Sequence, residues 1–260
     1  MTGGNVVGFF TGKIKSVFYV KNLAAVADYY ADVYGLPTVN RFPEGCDIRM
    51  LGDGYIQLRT DTPDIPQGPG SLWIEALDVD RVFEEVSRHP KANIFEPVED
   101  KYYHARVYRA IDPAGNAMAV VEYEKDLGSW KGPVHKGQYF NKEFRSVMFV
   151  DDLDNCHRFY TQTLGMECVY SWDEGPGDRG FKYQIHPDSH AYLEILHRVP
   201  LMPQGKVTIE LEAQNAIACF EALREQPYVT FLDLLQFDQQ GKAFFRLQDP
   251  DGNAVLIRSR

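Results

Sequence analysis

No stretch of the 260-residue sequence approaches the ~20 consecutive apolar residues that a membrane-spanning helix needs. Basic residues are in deficit, with 27 Lys and Arg against 37 Asp and Glu, for a formal charge of −10. Nucleic acids and anionic membranes both demand the opposite sign, so neither is expected as a partner. Cysteine is sparse: Cys46, Cys156, Cys168 and Cys219 show neither metal-ligand nor disulfide spacing. Reduced, mostly buried thiols in a cytoplasmic protein are the expectation. The opening MTGGNVVGFFTGK has no basic start followed by an apolar core, so no signal peptide is read there. P-loop, dinucleotide and Ser–His–acid patterns are missing. Asp-Pro-Asp-Gly-Asn at 249–253 lacks the later glutamate that would complete a calcium loop.

What is present is a long internal repeat. Val17-Phe18-Tyr19-Val20-Lys21-Asn22-Leu23, then Tyr29-Tyr30 and Tyr34-Gly35-Leu36, returns 130 positions later as Val147-Met148-Phe149-Val150-Asp151-Asp152-Leu153, Phe159-Tyr160 and Leu164-Gly165-Met166. Asp112-Pro113-Ala114-Gly115-Asn116 returns 137 positions later as Asp249-Pro250-Asp251-Gly252-Asn253, the added residues being assigned to the 172–180 segment. A period of this length means duplicated domains and excludes a solenoid. Composition agrees with globular domains: 44% hydrophobic and 25% charged.

Each half reads the same way. Alternating strands at 13–20 and 144–150 lead through a polar residue into an amphipathic helix ending at Gly35 or Gly165, where a left-handed residue is wanted. Gly52-Asp53-Gly54 marks a tight hairpin. The pattern restarts with a strand at 71–77 and helix at 79–88, and in the second half with a strand at 207–212 and helix at 216–224. Asp-Pro-x-Gly-Asn supplies the turn between the last two strands. The result is βαβββ twice per half: residues 1–124 as a first domain (units at about 13–60 and 70–124), 125–142 as a linker, and 143–260 as a second domain.

These motifs, in order and twice over, resemble the vicinal-oxygen-chelate superfamily, which contains glyoxalases, bleomycin-resistance proteins and extradiol dioxygenases. The resemblance implies an α+β fold in which paired βαβββ units curl mixed sheets around a cavity, with helices outside. It also implies a divalent metal held by His and Glu. Carried over residue by residue, however, the ligand positions are Lys15, Gln57, Ser71 and Ala119 in the first half and Arg145, Glu194, Thr208 and Leu256 in the second. Only Glu194 is a good donor, and Arg145 is its expected ion-pair partner. No metal and no cofactor are therefore expected. Of the histidines, His104 is placed in a strand, His186 and His190 flank a proline turn, and His197 is expected to face away from Glu194.

Period-two alternation then assigns the cavity walls. One cavity per half is expected: Lys15, Tyr19, Gln57, Ser71, Trp73, Tyr103 and Arg109 in the first; Arg145, Glu194, Thr208, Phe244 and Arg246 in the second. The second is expected to be sealed by Arg145–Glu194, leaving the first, around Lys15 and Trp73, as the better pocket. Aromatic walls with a few fixed charges suit a small organic molecule carrying a planar ring. The leading expectation is metal-free binding of a metabolite or drug by a monomer or homodimer. The alternatives are a lyase, isomerase or dioxygenase using relocated ligands or acid–base catalysis, and a regulatory or interaction module with closed cavities.

Overall fold

The computed structural model describes residues 9–63, 67–101, 104–127, 129, 131–175, 177–198 and 205–260, of which 141 and 142 are described by their backbone alone. Four βαβββ units follow one another. The first comprises β1 (Phe10–Tyr19), α1 (Leu23–Tyr34), β2 (Thr38–Phe42), β3 (Gly45–Arg49) and β4 (Gly54–Arg59). The second holds β5 (Ser71–Ala76), α2 (Val79–Ser87), β6 (Ile94–Lys101), β7 (Ala105–Ile111) and β8 (Ala117–Tyr123). In the second half come β9 (Phe140–Val150), α3 (Leu153–Arg158), β10 (Glu167–Asp173), β11 (Arg179–Gln184) and β12 (Ala191–His197). The fourth unit is β13 (Thr208–Ala213), α4 (Ala216–Arg224), β14 (Thr230–Phe237), β15 (Ala243–Gln248) and β16 (Ala254–Ser259). No helix among the described residues is long and apolar enough to cross a membrane.

The helix starts share one device. The side chains of Asn22, Asp78, Asp152 and Asn215 each accept the backbone N–H three residues on, at 3.0 or 3.1 Å. That is the N-cap bond that satisfies one of the orphan amides of a first turn. Gly35 and Gly165 close α1 and the π-helical turn that continues α3, at φ 69° and 68°. β9 begins at Phe140, inside the segment read as linker, because Phe140 pairs with Ala76 of β5. His104, read as a strand residue, sits instead in the β6–β7 turn at φ 57°, exposed, with Glu124 as its partner.

The units assemble across the halves. One sheet runs β14-β15-β16-β13-β1-β4-β3-β2 and the other β10-β11-β12-β9-β5-β8-β7-β6. Unit one is thus joined to unit four through the antiparallel pair β1–β13, with Lys15 opposite Glu210 and Val17 opposite Thr208. Unit two is joined to unit three through β5–β9, with Trp73 opposite Arg145. Each sheet turns one face to a concave site and the other to the shared core. On β1, Ile14 and Phe18 belong to the core while Lys15, Val17 and Tyr19 face the concave side. The two sheets touch where Ser16 donates to Ser146 at 2.7 Å. Helices pack on the core-facing sides, α1 on β3 and β4, α4 on β15 and β16.

Within each half, a second tie links the units. Tyr30 of α1 donates to Asp112 in the β7–β8 turn at 3.2 Å, and Tyr160 donates to Asp249 at 3.0 Å. The aromatic pair and the Asp-Pro-x-Gly-Asn turn recur together because they touch. Asn116 and Asn253 of those turns accept from Gly70 and Val207 at 2.9 and 3.1 Å, fixing where β5 and β13 begin.

The segments leading into β5 and β13 pass each other at Gly68 and Gly205. A Cβ built on Gly68 would lie 2.3 Å from the Gly205 Cα, and the converse distance is 2.2 Å. Since backbone cannot yield as a side-chain tip can, Gly68→Ala is expected to cost about 1–3 kcal/mol. Chemical denaturation would show it as a lower midpoint with an unchanged slope.

Candidate ligand-binding site

The sheet pairing redistributes the expected site residues. Lys15, Tyr19 and Gln57 share a concave face with Thr208, Phe244 and Arg246; Ser71, Trp73 and Arg109 share the other with Arg145 and Glu194. The expectation of one cavity per half is corrected: each concave face takes one unit from each half. Lys15 and Trp73, expected to share a pocket, lie in different sheets. Tyr103 lies outside the described residues.

The face containing Trp73 carries a buried ion-pair network. Arg145, 7% exposed, is gripped by Glu194 and Glu143, each at 2.7 Å, and donates to the Tyr123 hydroxyl. Its guanidinium lies over the rings of Trp73 and Tyr123, 5.5 and 5.6 Å from their centroids. Burial alone would depress this group, but Glu194, Tyr123 and Glu143 outweigh it and hold it well above its ordinary value. Burial pushes the Tyr123 hydroxyl up to about 12, so it stays protonated. Ala119, at a family ligand position, belongs instead to a small buried cluster with Ala105, Val107 and Val121 against Trp73 and Tyr123. Arg109, expected to be available to a ligand, is ion-paired with Glu96, which also holds Lys101. The Arg145–Glu194 pair anticipated from sequence is present on this face.

The other face is open. A cavity of about 320 Å³ is lined by Tyr19, Gln57 and Arg59 from unit one, by Thr208, Phe244, Arg246 and Arg258 from unit four, and by the 61–63 segment between the units. A single cavity can be walled by β1, β4, β13, β15 and β16 only if the sheet curls. Five of the residues anticipated from sequence meet here, and Lys15 lines a smaller cavity of about 200 Å³ beside it, with Asp47 and Tyr55.

Lys15, Arg59, Arg246 and Arg258 each have a carboxylate partner. Lys15 lies 3.2 Å from Asp47 and 3.0 Å from Glu210. Arg59 grips Asp61 through two bonds at 2.7 and 2.9 Å, and Arg246 pairs with Asp233. Arg258 holds Asp238 at 2.9 Å and Glu210 at 3.5 Å, with its guanidinium 4.8 Å from the centre of the Phe244 ring. Burial would lower Lys15, but Glu210 and Asp47 outweigh it and keep the ammonium above its ordinary value. A lysine so held is not a general base at neutral pH.

Sequence reasoning missed Asp47 and Arg258. Asp47 alternates with Cys46 and Ile48, both fully buried toward the core, and that alternation is the signal that would have put a carboxylate on the concave face. Arg258, two residues beyond Leu256, shares its face by the same period.

The donor set does not fit a divalent ion. Asp47 and Glu210 do converge, but the Lys15 ammonium stands between them; opposite, the Arg145 guanidinium stands between Glu194 and Glu143. Among the described residues, no group of three or more His, Cys, Asp or Glu side chains is placed to hold a metal.

Comparison with known proteins agrees with this architecture. The family model of the Glyoxalase/Bleomycin resistance protein/Dioxygenase superfamily matches residues 144–257. The second half of the chain is a domain of that superfamily. The first half repeats its βαβββ units, and the tandem arrangement is that of glyoxalase I from Zea mays: 15% identity, 94% of this chain and 91% of that one covered, TM-score 0.72. A Bacillus subtilis protein proposed to be a dioxygenase shares the fold at TM-score 0.65 and 14% identity, over 97% of this chain and 86% of its own. None of the curated proteins matches the sequence. At these identities the likeness is one of fold, and function must be argued from the site.

Proposed function

We propose that this superfamily member binds a small organic molecule with a planar ring in the cavity of the first sheet, without a metal. The observation that carries the reading is that cavity itself. Its volume of about 320 Å³ is that of a small-ligand site. Tyr19 and Phe244 offer ring faces, and Gln57 and Thr208 offer neutral polar groups between them. The ligand-binding set is accordingly Tyr19, Gln57, Thr208, Phe244 and Arg246 with Arg59 and Arg258. Ser71, Trp73, Arg109, Arg145 and Glu194 serve the packing of the other face.

A thermal-shift screen with bicyclic aromatic compounds tests this. A ligand present at a hundred times its Kd stabilises the native state by about 2.7 kcal/mol, a shift of several degrees. Phe244→Ala is expected to abolish the shift while Trp73→Phe retains it. If no compound raises the melting temperature, or if Trp73→Phe and not Phe244→Ala removes the effect, the assignment is wrong. Elemental analysis showing a stoichiometric divalent metal would overturn the metal-free part.

A further inference from the structure

Gln57 is 5% exposed, and its two amide atoms have unequal fates. Nε2 donates to Asp47 Oδ1 at 3.0 Å, whereas Oε1 is buried and has no hydrogen-bond partner. The assignment of the two atoms is forced by chemistry. Asp47 already accepts from Lys15 and from Asn40 Nδ2, at 2.9 Å, so it acts as a carboxylate that only accepts. A flipped amide would set oxygen against oxygen. Nε2 therefore faces Asp47, which lines the smaller cavity. Gln57 is among the residues that line the larger one, and Oε1 is the amide end not committed to Asp47. A buried acceptor left without a donor keeps its desolvation penalty, which a ligand able to donate would recover.

The charges around this atom narrow the ligand further. Arg59, Arg246 and Arg258 each carry a carboxylate partner, so an anionic ligand has to break an ion pair to reach a guanidinium. A cationic ligand likewise has to break an ion pair to reach Asp61 or Asp233, which line the same cavity. An uncharged molecule pays neither cost.

We infer that Gln57 is the specificity-determining residue of this cavity: its Oε1 accepts a hydrogen bond from an N–H or O–H on an uncharged, planar ligand whose ring lies against Tyr19 and Phe244. The inference rests on the binding function proposed above and adds the ligand's chemical class.

Matched probes test it by calorimetry on the full chain: naphthol against its methyl ether, carbostyril against its N-methyl derivative, and naphthoate as the anion. Naphthol and carbostyril are expected to bind at least about tenfold more tightly than their methylated partners, because methylation removes only the donor. Naphthoate is expected to bind more weakly than naphthol. In Gln57→Leu, verified as folded by its melting curve, the preference within each pair is expected to vanish while the methylated compounds keep their affinity. Equal affinities within both pairs on the wild-type chain would overturn the inference while leaving the binding function standing. So would a preference that survives in Gln57→Leu, or naphthoate binding best of all. Failure of every probe to bind would overturn both. The wild-type comparison needs no variant to fold.

Discussion

Arg145→Met is expected to destabilise the folded chain by about 3–5 kcal/mol, the range for removing one partner from a buried ion pair. Glu194 is 2% exposed, so the lost guanidinium leaves a buried carboxylate without its cation. Glu143 keeps Lys182 at 2.9 Å, and Trp73 and Tyr123 lose the cation between their rings. The loss is that of an uncompensated charge, so Arg145→Met combined with Glu194→Leu is expected to recover most of it, since apolar pairs often replace buried ion pairs at little cost. Urea denaturation of the wild type, both single variants and the double variant gives the coupling energy directly. A single-variant cost below about 1 kcal/mol would mean that the pair does not stabilise this face.

The same variant has a pH signature. Burial alone would raise the Glu143 carboxyl, but Arg145 and Lys182 outweigh it and hold it below the ordinary value of 4.5. A folded-state value below the unfolded one gives stabilisation that is complete above the unfolded value and is lost as pH falls through the folded one. The wild type therefore loses stability on acidification below about pH 4.5, and Arg145→Met, already missing one of these ion pairs, loses less. The gap between them is expected to narrow from neutrality toward pH 3. A gap that widens on acidification would place the charge balance elsewhere.

How far the sequence could be read depended on the range of each interaction. The helix caps at Asn22, Asp78, Asp152 and Asn215 are made within three residues, and the Asp-Pro-x-Gly-Asn turns within four, so local pattern revealed them. Arg145 and Glu194 lie on neighbouring parallel strands of one unit, and their pairing could be anticipated from charge and alternation. Which units share a sheet left no local trace. All four first strands carry a similar alternation, and nothing in β1 marks β13, some 190 residues away, as its partner rather than β5. That gap grouped Lys15 with Trp73 and concealed the Lys15–Glu210 pair, whose members face each other only once β1 and β13 are joined. Alternation still sent Tyr19, Gln57, Thr208, Phe244 and Arg246 to concave faces, which is why five residues assigned to two different cavities line one.

Asp249→Ala is the second change with a large expected effect, about 3–5 kcal/mol. The Asp249 carboxylate accepts four hydrogen bonds: from the backbone of Asp251 at 3.0 Å and Asn253 at 2.8 Å, from Asn253 Nδ2 at 2.9 Å and from the Tyr160 hydroxyl at 3.0 Å. Tyr160 and Asn253 are both fully buried, so alanine leaves donors that water cannot reach, each worth roughly 1–3 kcal/mol. The loss spreads beyond the turn, because Asn253 also fixes Val207 at the entrance to β13, whose Thr208 lines the open cavity. Tyr160→Phe removes one donor together with its requirement for a partner and is expected to cost only about 1 kcal/mol. Asp112→Ala should reproduce the larger effect in the first half, where the carboxylate accepts from Ala114, Asn116 and Tyr30 in the same way. If the turn is the latch between units, Asp249→Ala weakens ligand binding in the cavity as well as stability, whereas Asp112→Ala, which anchors β5 in the other sheet through Asn116, lowers stability and leaves binding intact. Denaturation midpoints and calorimetric affinities measured on the two variants separate these outcomes. Equal losses of affinity in both would mean that the sheets do not keep their sites independent.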